Sequence, residues 1–235
     1  MLSLRVFMKL SALQKQLLIL LAFLLVTILF WNTFLIYPIK LFVVMLHELS
    51  HGLMAELFGG DIVNIQIDPR VGGYCRYTVP DSFMARFMIA SAGYLGSLFW
   101  GALILLGAVF TDKDRYISLA IGLVLLILSW FVIKTGEWFG IVMTVGFALF
   151  MLLSARFLSD TFHDYFLKFI GMVSCLYVII DIKNDLIDRT GIGSDADAIA
   201  EMTGIASIVI GIIWFLLALL VIYITLKYAF RGIGK

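Results

Sequence analysis

Roughly seven runs of about 18 or more mostly apolar residues follow one another along this chain, near 17–36, 38–58, 85–110, 116–133, 138–155, 165–182 and 204–226. Each is long enough to cross the ~30 Å hydrocarbon core of a bilayer as a helix. A backbone in hydrocarbon must satisfy its own hydrogen bonds, so such runs are expected to be helical. The expected fold class is therefore an all-α polytopic membrane protein with about six to seven transmembrane helices. With 63% hydrophobic and 14% charged residues, no material is left for a separate soluble domain, and residues 1–235 read as one integral-membrane domain. The first run reads as a retained helix: its apolar core is too long for a cleavable leader, and no small-x-small site followed by a soluble portion comes after it.

The second run, the helix expected at about 38–58, contains His47-Glu48-Leu49-Ser50-His51. HExxH on a helix sets two imidazoles one turn apart on one face, ready to hold Zn2+. Glu48 then lies beside the open metal position as a general base. The plain alternative is a buried histidine pair hydrogen-bonded to neighbouring helices with Glu48 neutralised. Three ionisable groups within five residues are costly in hydrocarbon unless something compensates them, and a metal ion does so. In a soluble chain this motif would suggest a metalloprotease; in a membrane helix it suggests one that cuts within or next to the bilayer.

A zinc site needs a third protein donor. His163 sits among Asp160, Asp164 and Lys168 and reads as a solvated loop histidine on the opposite membrane face. The carboxylates ending the helix expected at about 165–187 are better placed. Asp181 follows the apolar run directly and is the expected third ligand. Asp185, one turn on, shares its face and reads as a group that orients a histidine N–H or the ligand itself, or as an alternative ligand. The alternative for both is the polar end of a helix, with Lys183 and Arg189 as partners.

Between the motif and the third run, Asp61-Ile-Val-Asn-Ile-Gln-Ile-Asp68 alternates in the strand period, Pro69 to Gly73 reads as a turn, and Tyr74 to Val79 alternates again. This predicts a β-hairpin at about 61–79, hanging from the motif helix at the membrane interface. Its edge (Ile65, Ile67, Gly72, Gly73) could pair with a substrate unwound into a strand, or the hairpin could simply cap the site. Gly93, Gly96, Ser97 and Gly101 predict close helix packing against the motif helix. Ser194-Asp-Ala-Asp197 reads as the cap of a short helix running toward Met202. Cys75 and Cys175 lack metal-ligand spacing and are expected to be free thiols.

Taken in order, these pieces resemble the M50 family of intramembrane metallopeptidases, the site-2 proteases, and most closely its small M50B-like branch. The resemblance rests on His47-Glu-Leu-Ser-His51-Gly52, Gly59-Gly60, Ile65-Gln-Ile-Asp68-Pro69 leading into Gly72-Gly73, Ser91-Ala-Gly-Tyr-Leu-Gly-Ser97, Ser174-Cys-Leu-Tyr177 through Asp181 and Asp185, and Ser194-Asp195-Ala196. It implies a zinc held by His47, His51 and an aspartate, with Glu48 activating water for peptide-bond hydrolysis. It also implies more for Asp195 than a cap, without assigning it a role. The better-known members carry an Asn-Pro-rich stretch ending in Leu-Asp-Gly at the third ligand, where this chain has Ile180-Asp181-Ile182.

The expected activity is a zinc metalloendopeptidase acting on transmembrane protein substrates in the lipid bilayer. The alternatives are a catalytically inactive scaffold that binds client helices and, further off, a metal-handling transporter. Against transport, no second half resembles the first. A net charge of +1 with no basic run interleaved with aromatics argues against nucleic acid. Arg5, Lys9 and Lys15 favour a cytoplasmic N-terminus, which puts the motif and Asp181 on one membrane side, although seven spans would then leave Lys227, Arg231 and Lys235 outside. Short loops and unpaired cysteines fit a plasma (inner) membrane. Substrate identity and oligomeric state are not written in the sequence.

Overall fold

The computed structural model describes residues 11–185 and 193–232. Arg5, Lys9, Asp188, Arg189 and Lys235 lie outside the described residues, as does the end of the helix expected to reach about 187. The elements are helices α1 (Ala12–Phe30) and α2 (Tyr37–Leu57), strands β1 (Asp61–Asp68) and β2 (Gly72–Thr78), then helices α3 (Phe83–Phe110), α4 (Asp114–Ile133), α5 (Trp138–Phe157), α6 (Asp160–Lys183), α7 (Asp195–Thr203) and α8 (Ser207–Gly232). Five of these, α3, α4, α5, α6 and α8, are long and apolar enough to cross a membrane. The chain is thus a mostly helical integral membrane protein with one small antiparallel sheet.

Two of the seven expected spans differ from these five. The apolar part of α1, Gln14–Phe30, is shorter. In α2, Lys40, Glu48, Glu56 and two histidines dilute the apolar run. Protein surrounds α2 instead of lipid: Leu41 to Leu46 are all buried, as are Glu48 to Gly52. Its neighbours are α3, α5, α6 and both strands. That enclosure lets a membrane protein keep several ionisable groups on one helix, because their partners are protein groups and not hydrocarbon.

The hairpin is present, with Ile65 opposite Cys75 and Ile67 opposite Gly73, but it does not hang at an interface. It doubles back along α2. At its root, Ile62 N–H donates to Glu56 Oε1 at the end of α2 (3.1 Å). At its tip, the Tyr37 hydroxyl at the start of α2 donates to Pro69 O (2.7 Å). An eight-residue strand spans about 26 Å and a 21-residue helix about 31 Å, so the two run nearly the same length. A bulge between Ile62 and Asn64 shifts the alternation by one residue. Ile62, Ile65 and Ile67 consequently share one buried face and join the main core with α2, α4 and α5. Val71 occupies the turn at φ 63°, a costly conformation for a β-branched residue. Its carbonyl is held by the Tyr177 hydroxyl of α6 (3.4 Å).

Small residues set the spacing between α3 and α6. A Cβ on Gly101 would lie 2.8 Å from Ser174 Cβ, and one on Gly171 would lie 2.7 Å from Leu105 N. The backbones meet because neither position carries a side chain. Of the small residues expected to pack on the motif helix, Gly93 and Gly96 do so, against His47 and Ser50, whereas Gly101 faces α6.

The reading of His163 is corrected by the structure. Ser159 caps α6 by accepting from Phe162 N–H (3.2 Å), so the helix begins at Asp160 and His163 falls in its first turn. The imidazole is 0% exposed. Its Nε2–H donates to Ser154 O of α5 (3.0 Å), leaving Nδ1 to accept from the Ser118 hydroxyl of α4 (2.8 Å). His163, Leu167 and Ile170 form a buried i, i+4, i+7 stripe; a cap followed by that stripe was the available signal.

Candidate metal centre

The helical repeat of α2 brings His47 and His51 onto one face, with ring centroids 4.9 Å apart. Both Nε2 atoms converge on one carboxylate, that of Asp195, with His47 Nε2 3.3 Å from Oδ2 and His51 Nε2 3.2 Å from Oδ1. One donor atom from each of the three residues lies within 4.8 Å of the others. Asp195 opens α7, whose start is fixed by a capping box between Ser194 and Asp197. The expected short helix is therefore there, and its first residue has a second task.

The third member of this cluster differs from the sequence expectation. Asp181 lines the same cavity, as does Asp185 one turn later, but neither belongs to the converging group. Asp195 lies 144 positions beyond His51, and its approach depends on α7 packing back against α3. No local periodicity encodes that return. The available signal was Ser194-Asp195-Ala196 itself, already part of the resemblance.

The donor set fits a zinc ion. Two imidazole nitrogens and a carboxylate are a zinc ligand combination that leaves a fourth position for water or substrate. His51 Nδ1 lies 2.7 Å from Ile89 O. A carbonyl can only accept, so Nδ1 holds the proton and the Nε2 lone pair points at the cluster, the tautomer a metal ligand needs. Gly93 leaves the room: a Cβ there would overlap both His47 Nε2 and Asp195 Oδ2. Oδ2 is buried and has no hydrogen bond of good geometry, only the 3.3 Å approach of His47 Nε2.

Glu48 is 5% exposed, and the backbone of Cys75 on β2 lies close to its carboxylate. Gly73 sits against it: a Cβ there would lie 2.9 Å from both Glu48 Cγ and Oε1. The cavity holding these groups has a volume of about 370 Å³, and Gly72, Gly73 and Cys75 form part of its wall. Ile65 and Ile67, named with the glycines as a pairing edge, are instead buried in the core. The edge facing the cavity is that of β2. Burial, with Glu48 nearby, pushes the Cys75 thiol up to about 12, and Cys75 is not among the converging donors. Both cysteines are free thiols.

No curated protein and no solved structure matches the chain. A family model described as Peptidase M50B-like matches residues 20–225. That span takes in α2, the hairpin, Asp181, Asp185 and Asp195, and it covers most of the sequence. The chain belongs to the Peptidase M50B-like family.

Proposed function

We propose that this protein is a zinc-dependent intramembrane endopeptidase, with His47, His51 and Asp195 holding the metal and Glu48 handling the proton. The observation that carries this is the convergence of the three donors within 4.8 Å, in a cavity whose wall also holds a buried glutamate placed between the two histidines in sequence. Zn2+ bound there would supply Lewis acidity and a water of lowered pKa. Glu48 takes a proton from the attacking water and delivers it to the leaving amide nitrogen, the role of a general base that becomes a general acid.

Transmembrane protein segments are the proposed substrates. Peptide-bond hydrolysis needs an extended backbone, and the cavity-facing edge of β2 offers backbone groups to which a strand can be added. A lone helix has no such unpaired groups.

Zinc content of the purified protein tests the site. About one zinc per chain, lost in His47→Ala and Asp195→Asn and retained in Asp181→Asn, is the expected result. Retention in Asp195→Asn with loss in Asp181→Asn would return the third ligand to α6. A folded wild type without zinc overturns the peptidase reading in favour of a non-catalytic scaffold.

A further inference from the structure

The two imidazoles of the centre are held differently. His51 is fixed through Nδ1 by the Ile89 carbonyl. His47 has no corresponding hydrogen bond among the described residues. What borders it is the ring of Tyr94 on α3, edge-on at 5.4 Å between centroids with an interplanar angle of 85°. Tyr94 is itself 2% exposed. Its hydroxyl donates to Asp185 at the end of α6, and its ring lies 5.1 Å from that of Trp214 on α8.

These contacts have a particular arrangement in the chain. Asp195 opens α7, which packs against α3 and α8. Tyr94, on α3, touches the end of α6 through Asp185 and α8 through Trp214, so it joins the elements on which α7 rests. It also borders the histidine that Asp195 must meet. We infer that Tyr94 is a positioning residue of the metal centre: anchored by Asp185 and Trp214, it sets the plane of the His47 imidazole and the approach of Asp195. Asp185 acts through Tyr94 and not as a ligand. This inference rests on the metal-centre reading proposed above.

The physical reasoning is that a metal ligand needs a defined ring orientation. An imidazole without a hydrogen-bonded Nδ1 can rotate about its χ2 bond, a broad torsion. An edge-on aromatic neighbour that cannot itself move restricts that rotation. The hydroxyl–carboxylate hydrogen bond keeps the tyrosine from moving, because a charged acceptor makes a short, directional bond. Loss of such supporting partners typically weakens metal affinity about 10- to 100-fold.

The test measures zinc affinity by chelator competition, together with the visible absorption of the cobalt-substituted protein, in wild type, Tyr94→Phe, Asp185→Ala, Asp185→Asn and the double variant Tyr94→Phe/Asp185→Ala. Tyr94→Phe and Asp185→Ala are each expected to weaken zinc about 10-fold and to alter the cobalt spectrum. The double variant is expected to be no worse than either single one, because both changes remove one interaction. Asp185→Asn keeps an acceptor and is expected to stay within about 3-fold of wild type. Unchanged affinity and spectrum in Tyr94→Phe would overturn the inference, as would losses that simply add in the double variant. Asp185→Ala disturbs a partly exposed helix end, so it reports even if Tyr94→Phe folds poorly. A wild type that binds neither metal overturns the metal-centre reading itself, an outcome distinct from all of these.

Discussion

The bundle places imidazoles at two sites, around His163 and around His47 and His51, and only the second has donor capacity to spare. Around His163, the hydroxyl of Ser118 and the carbonyl of Ser154 occupy both ring nitrogens, and the ring is 0% exposed. It ties α4, α5 and α6 together and has nothing left to offer a ligand. Around His47 and His51, two Nε2 atoms instead face a shared carboxylate across the wall of a cavity. Both places are built on buried or half-buried imidazoles. The difference is whether the surroundings consume the nitrogen lone pairs or aim them into open space. A buried polar network that is fully satisfied stiffens a core, whereas one left open is a place for chemistry.

This contrast can be broken most severely at Gly93. Gly93→Ala puts a methyl group where His47 Nε2 and Asp195 Oδ2 now meet, and zinc affinity should fall by about 100-fold or more. Metal titration checks this, and near-normal binding would mean that the centre relaxes freely. Glu48→Gln should leave zinc content unchanged and reduce cleavage of a membrane substrate by about 10²- to 10⁴-fold. Wild-type turnover in that variant would remove Glu48 from the mechanism.

At the other cluster the signature should invert. His163→Leu should retain full zinc and lower stability by about 1–3 kcal/mol, since Ser118 loses its buried partner; thermal unfolding in detergent measures it. Ser118→Ala, which strands only one nitrogen, should cost somewhat less, about 1–2 kcal/mol. Zinc loss in either would show that the two clusters are coupled. The smallest effect concerns Cys75. With its thiol pushed up to about 12, the thiolate fraction at pH 8 is roughly 10⁻⁴. Alkylation of the folded protein should be slow there and rise about tenfold per pH unit, and rapid labelling at pH 8 would mean that the hairpin opens.

Much of the fold was legible because hydrocarbon leaves a chain few choices. The spans of α3, α4, α5, α6 and α8 follow from run length alone, and the hairpin follows from alternation. The bulge at Ile62/Asn64 was not legible, and with it went the knowledge of which hairpin edge meets the cavity. His163 was misjudged because its neighbours in sequence are charged. A polar first turn is compatible with a buried histidine when the cap sets the helix phase, and that phase is fixed by Ser159.

By itself, the sequence determined that this chain lives in a membrane and carries paired imidazoles with a glutamate between them. Those properties depend on composition and on the 3.6-residue repeat, both local. Only the tertiary structure decided that Asp195, not Asp181, joins the histidines, that the hairpin lies along α2 with β2 facing Glu48, and that Tyr94 backs His47. Each of these is a contact between segments far apart in the chain, selected by the packing of whole helices. No local pattern records such a choice.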